Sequence, residues 1–134
     1  MKDNYTIGIN FLHSDTAACI FKNNNLIAAS EEERFTRVKH TSTFPFNAIK
    51  FCLNEANISL SDVDNITINS NPYNSILKKI LFVLKNPLSY EIFFQSLKNT
   101  KNKLSLKDYV SQIDALSTFR GKIRYLDHHE SHIA

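Results

Sequence analysis

Three histidines, His128, His129 and His132, fall within the last seven residues of the chain. They follow a strand-like run at residues 122–126. In a helical turn His128 and His132 stand four residues apart on one face. Two imidazoles at that spacing can grip one transition-metal ion. A tetrahedral or octahedral ion needs more than two ligands. The site is therefore expected to be unfinished within these 134 residues, and the chain to be a fragment of a larger protein. A single histidine is ordinarily a packed or exposed side chain, but three in five positions behind a strand weaken that default.

Two other segments could carry chemistry. His13 and Asp15 sit in the turn between two strand-like runs, followed by the small residues Thr16, Ala17 and Ala18. A histidine moves protons near neutral pH, and a nearby carboxylate can orient it. On composition alone a polar β-turn with surface side chains is favoured, because an isolated His-x-Asp is common. The second segment is the charged run at residues 31–40, with Arg34, Arg37, Lys39 and His40 within seven positions. Such a cluster can hold a phosphate or another anion. On spacing alone a salt-bridged surface loop stays ahead. Nothing beyond the presence of thiols makes Cys19 or Cys52 a nucleophile.

The elements that must position these residues follow from periodicity. Residues 5–10, 17–21 and 26–30 read as three strands of an antiparallel meander, with Lys22-Asn23-Asn24-Asn25 as the second turn. Residues 31–43 show no clear period and read as loop or irregular chain. Pro45 is placed to start a helix in which Phe46, Ile49, Leu53 and Ala56 keep helical spacing and Cys52 widens the stripe. Its apolar stripe should pack on the sheet. Residues 65–69 alternate as a fourth strand. Helices are expected over residues 74–85 and, with a break near 99–103, over 88–119. Strands first in a meander and then alternating with helices indicate a mixed α/β sheet. Ligand sites of such sheets gather at the carboxyl ends of the strands. His13, Asp15 and the segment from Arg34 to His40 should converge there.

Composition sets bounds. A hydrophobic fraction of 43% supports a real core. The formal charge of +3 is mild and the lysines are dispersed, so a nucleic-acid partner is not expected. The most apolar stretch, residues 76–84, contains Lys78 and Lys79 and is too short to span a bilayer, so no membrane partner is expected either. The first residues do not lead into a signal-like apolar region, and two cysteines without CxxC spacing read as buried free thiols, so the expected location is cytoplasmic. With only two glycines, the chain has no glycine-rich phosphate loop.

Together, the motifs resemble the N-terminal domain of the NodU/CmcH family of carbamoyltransferases. That family opens with Gly-Ile-Asn-x-x-His-x-Asp-x-x-Ala-Cys, and the run from Gly8 to Cys19 fits it. Its next signature, Glu-Glu-Arg-Phe-x-Arg-x-Lys-His followed by Phe-Pro, is similar to the run from Glu32 to His40 with Phe44-Pro45. Residues 48–64 are similar to the family's first helix and connector, and His128-His129-Glu130-Ser131-His132 resembles its His-His-x-x-His. Between Ser70 and Gly121 no motif is recognised.

The resemblance implies an actin/hexokinase-like (ribonuclease H-like) mixed sheet with flanking helices, incomplete here. Residues 1–134 would be the N-terminal part of a metal- and acceptor-binding domain, without its later half or the carbamoyl-adenylate-forming domain. The parent would transfer a carbamoyl group from carbamoyl phosphate, through carbamoyl-adenylate and with ATP, to a hydroxyl of a sugar- or antibiotic-like acceptor. His13, with Asp15, would be catalytic. Arg34, Lys39 and His40 would line the acceptor and carbamoyl-adenylate pocket. His128 and His132 would bind a divalent, iron-type transition metal acting as a Lewis acid. The fragment alone is expected to be inactive. Its expected partners are the small-molecule acceptor and the remaining C-terminal part. The rival reading is a small non-catalytic domain that binds metal or a partner.

Overall fold

The computed structural model describes residues 3–11, 14–69, 106–113 and 118–126. Five strands form one sheet in the order β3-β2-β1-β4-β5. They are β1 (Tyr5–Asn10), β2 (Ala17–Lys22), β3 (Asn25–Glu31), β4 (Asn65–Ile68) and β5 (Lys122–Tyr125). The first three make the expected antiparallel meander, and β4 and β5 run parallel to β1. This arrangement, with β1 central and the parallel strands added on one side, is the ribonuclease H-like sheet. The β2–β3 turn holds Asn23 and Asn24 at φ 49° and 69°. Two successive left-handed residues match the right-handed twist of a hairpin, and asparagine tolerates that conformation.

The two sheet faces differ. Ile7, Ile9, Ala18, Ile20, Ile66 and Ile68 are buried on one face. Onto it packs α2 (Phe46–Ala56), through Ala48, Ile49, Cys52 and Leu53. These four positions recur at helical spacing, as the sequence pattern requires. Asn57 ends the helix at φ 52°, its N–H donating to Leu53 and Asn54, so the cap also turns the chain toward β4. The opposite face carries the short side chains of Gly8, Ala17, Cys19 and Thr67.

Residues 31–43 are more ordered than their sequence suggests. They contain a single helical turn, α1 (Glu33–Thr36), closed by Arg37 at φ 58°. The reason lies in Glu32, which is 2% exposed. Its carboxylate accepts hydrogen bonds from the α2 backbone N–H of Asn47 (3.3 Å) and Ala48 (2.9 Å), and from the Asn47 side-chain amide (2.7 Å). Its own carbonyl accepts from the N–H groups of Phe35 and Thr36, both at 3.1 Å. Pro45 stands at the α2 N-cap without a side-chain cap, so Glu32 supplies the cap from a distance. The connector after α2 also holds a 3-10 turn, Leu60–Asp62, closed by a capping box between Ser59 and Asp62. The helix α3 (Leu106–Ser111) lies within the expected 88–119 stretch, and its Val110 is buried. The helix expected at residues 74–85 lies outside the described residues.

Two consequences can be measured. Glu32→Ala would leave three donors at the α2 N-terminus without an acceptor, and should cost about 2–4 kcal/mol in urea unfolding. Glu32→Gln keeps one acceptor oxygen and should cost about half as much. The second concerns Cys52, which is 0% exposed. Burial pushes its thiol from about 9 up to about 11, aided by Cys19 and Glu55. Between those two pH values the unfolded chain releases this proton while the folded chain keeps it. Stability should therefore fall as pH rises through that window, and Cys52→Ala should flatten the slope.

Candidate functional site

The parallel strands β1 and β4 end side by side, and their last residues start a chain of polar contacts. The Asn69 side-chain amide donates to Asn10 Oδ1 at 2.7 Å. The Asn10 side-chain amide donates to the Asp15 carbonyl at 2.9 Å. Asp15 itself stands at φ 66°, a left-handed corner that aspartate adopts more readily than most residues. Its Oδ1 lies 3.0 Å from Nδ1 of His40. His40 is also left-handed, at φ 55°. Two corners from segments 25 residues apart thus meet through their side chains.

The loop carrying His40 is fixed at several points. Thr16, fully buried, donates its backbone N–H to the Thr41 carbonyl at 3.4 Å and accepts from the Glu32 N–H at 2.9 Å. Phe44 is 3% exposed. Its ring stacks on Tyr109 of α3 at 5.1 Å and meets the edge of Phe11, just past β1, at 5.2 Å. The Phe-Pro pair thus pins the far end of the loop, with Phe44 in the core and Pro45 at the head of α2.

Arg34, on α1, borders a groove of about 510 Å³ on the sheet face opposite α2. Gly8, Asn10, Cys19, Thr67 and Asn69 also line it. Gly8 keeps the floor low: a Cβ there would lie 2.8 Å from Cys19 Sγ. Burial raises the Cys19 thiol above its ordinary value, so both cysteines stay protonated near neutral pH, as inert thiols should. Asn10 belongs both to the groove and to the polar chain, and so joins Arg34's surroundings to the Asp15–His40 pair.

Of the residues singled out from sequence, Asp15 and His40 are in direct contact, Arg34 is at the groove, and Lys39 is exposed on the loop between them. His13, His128 and His132 lie outside the described residues. Leu126 donates its N–H to the Ile68 carbonyl at 2.8 Å, so β5 ends beside β4 at the edge where Asn10 and Asn69 lie. Among the described residues no group of three or more His, Cys, Asp or Glu could hold a metal ion. No described helix is long and apolar enough to cross a membrane. Sequence reasoning missed the positioning roles of Asn69, Asn10, Glu32 and Phe44. Asn10, Glu32 and Phe44 stand inside the family-like motifs, which was the available signal, whereas Asn69 carries none.

Comparison with known proteins matches residues 5–134 to the carbamoyltransferase N-terminus family. An uncharacterized protein, sll1178, of Synechocystis sp. is 31% identical, the match covering 97% of this chain and 22% of that protein. Nodulation protein NolNO of Sinorhizobium fredii is 32% identical over 91% of this chain and 17% of its own length. An uncharacterized 19.2 kDa protein of Rhizobium etli is 37% identical over 48% of this chain and 37% of its own. The chain thus spans about a fifth of the length of the first two relatives. Among solved structures, YeaZ from Pseudomonas aeruginosa aligns with a TM-score of 0.47 and 10% identity, over 92% of this chain and 43% of that one. With the family matched along almost its whole length, the chain belongs to the carbamoyltransferase N-terminal family.

Proposed function

We propose that this chain is the N-terminal part of the metal- and acceptor-binding domain of an enzyme that carbamoylates a hydroxyl on a sugar- or antibiotic-like small molecule. The carbamoyl group would come from carbamoyl phosphate through carbamoyl-adenylate, with ATP, on parts of the enzyme beyond these residues. The observation that carries this reading is the family match over residues 5–134. The polar chain from Asn69 to His40 supports it by giving the sheet edge a fixed set of hydrogen-bonding groups.

In this reading His13, two residues before Asp15, takes the acceptor hydroxyl's proton as general base. Arg34, at the groove rim, and Lys39 supply positive charge for a phosphate of the activated donor. Asp15 holds His40, and Asn10 holds the backbone of Asp15. The sequence continues from the end of β5 into Asp127 and His128, and two imidazoles four residues apart suit a divalent ion of iron type. Such an ion would supply Lewis-acid polarisation. The free thiols and the use of carbamoyl phosphate and ATP favour a cytoplasmic setting.

The test is transfer of radiolabelled carbamoyl from carbamoyl phosphate to a panel of amino sugars and sugars, by the full-length gene product containing this chain. ATP-dependent labelling of a hydroxyl is expected, and His13→Ala should lower it by about 10²–10⁴-fold. No transfer to any acceptor would favour the non-catalytic, metal- or partner-binding reading. Separately, titration of this chain with Fe²⁺ or Co²⁺ should show weak binding that the His128→Ala, His132→Ala double variant abolishes, because two ligands alone leave most of the coordination sphere to water. Binding unchanged in the double variant would place the metal elsewhere.

A further inference from the structure

We infer that Asp15 locks the neutral His40 ring in the Nδ1–H tautomer, so that His40 receives a hydroxyl or ammonium donor of the acceptor substrate at Nε2 rather than contacting the donor's phosphate. The inference rests on the carbamoyl-transfer reading for the identity of the ligand, but not for the tautomer.

The argument starts from the 3.0 Å contact between Asp15 Oδ1 and His40 Nδ1. An ionised carboxylate only accepts hydrogen bonds, so Nδ1 must carry the hydrogen. In the neutral ring the lone pair then resides on Nε2, because the bond made by one ring nitrogen sets the state of the other. The His40 side chain is 76% exposed, so Nε2 is open to a ligand, while Asp15 at 48% is half enclosed by the turn. The pair is not a loose surface contact. Asp15 is held from behind by Asn10, which is held in turn by Asn69. His40 is held by the Thr16–Thr41 backbone bond and by Phe44 in the core. Both residues keep left-handed backbones, which persist only when their surroundings fix them. The arrangement commits three polar side chains, Asp15, Asn10 and Asn69, to the direction of one imidazole. An anion contact would not need it, since an imidazolium donates from either nitrogen. Arg34 and Lys39 already offer permanent charge nearby on the same segment. A neutral ring aimed by a carboxylate instead offers one directed acceptor, which suits the O–H or N–H groups of a polyhydroxylated or amino-bearing acceptor.

Two experiments test this. Long-range ¹H–¹⁵N spectra of the ¹⁵N-labelled chain, recorded under alkaline conditions on the neutral ring, should show His40 protonated at Nδ1 and bare at Nε2. In Asp15→Ala the hydrogen should move to Nε2. A wild-type ring protonated at Nε2, or a tautomer unchanged in Asp15→Ala, overturns the lock, and the wild-type spectrum decides even if the variant does not fold. In the full-length enzyme, His40→Gln should raise KM for the acceptor roughly tenfold, the worth of about one hydrogen bond, and leave KM for carbamoyl phosphate unchanged. A rise confined to KM for carbamoyl phosphate, or no change in either, would assign His40 to the anion or to neither ligand and sink the proposal. The spectra need no substrate, so a failed tautomer leaves the carbamoyl-transfer reading standing, and absent transfer activity leaves the tautomer standing.

Discussion

A carboxylate placed in the core is costly unless every oxygen finds a partner, and Glu32 meets that condition by sitting over the first N–H groups of α2. Those N–H groups would otherwise be orphaned, because Pro45 offers no side-chain cap. One interaction therefore settles two deficits. It also fixes the distance between the end of β3 and the head of α2, and so sets the path of the loop between them. Because the Glu32 N–H donates to Thr16, the same residue ties that loop to the start of β2. Everything the loop presents, His40 included, inherits its position from this buried charge.

The central place of β1 explains why the polar groups gather at one edge. It pairs antiparallel with β2 on one side and parallel with β4 on the other. The end of β1 is thus next to the start of β2 and the end of β4. Asn10, Asp15 and Asn69 meet there as a consequence of strand direction alone. Arg34 borders the groove from the α1 side of that edge, and Leu126, just past β5, lines it from the other. The family match gives this geometry a chemical setting without naming an acceptor.

Much of the architecture was legible in the sequence because it rests on local pattern. Alternation gave β1 and β4, the asparagine pair gave the hairpin, and the spacing of Ile49, Cys52 and Leu53 gave the buried face of α2. What was not legible depends on contacts distant along the chain. Glu32 stands in a run of glutamates, and nothing local separates the one that is buried from its solvated neighbours. The helical turn α1 is closed mainly by that residue's carbonyl, so an aperiodic charged run conceals it. The contact between Asp15 Oδ1 and His40 joins residues 25 positions apart, and the approach of His40 depends on the loop's anchor at Phe44. Asn69 shows no motif because its partner is on another strand.

The hairpin at Asn23 and Asn24 bears on how the molecule assembles. Strands β1 to β3, α1 and α2 are joined by short connections and bond mostly to near neighbours in the chain, so their order can develop while later residues are still being made. Strands β4 and β5 must then find a sheet edge already formed, with loop-closure entropy opposing them. The polar edge is split between these two stages. Asp15, His40 and the Glu32 cap belong to the early unit, and Asn69 to the late one. The Asn69–Asn10 bond is thus a seam between cooperative units, and local opening at that seam would release the support behind Asp15 before the core itself loosens.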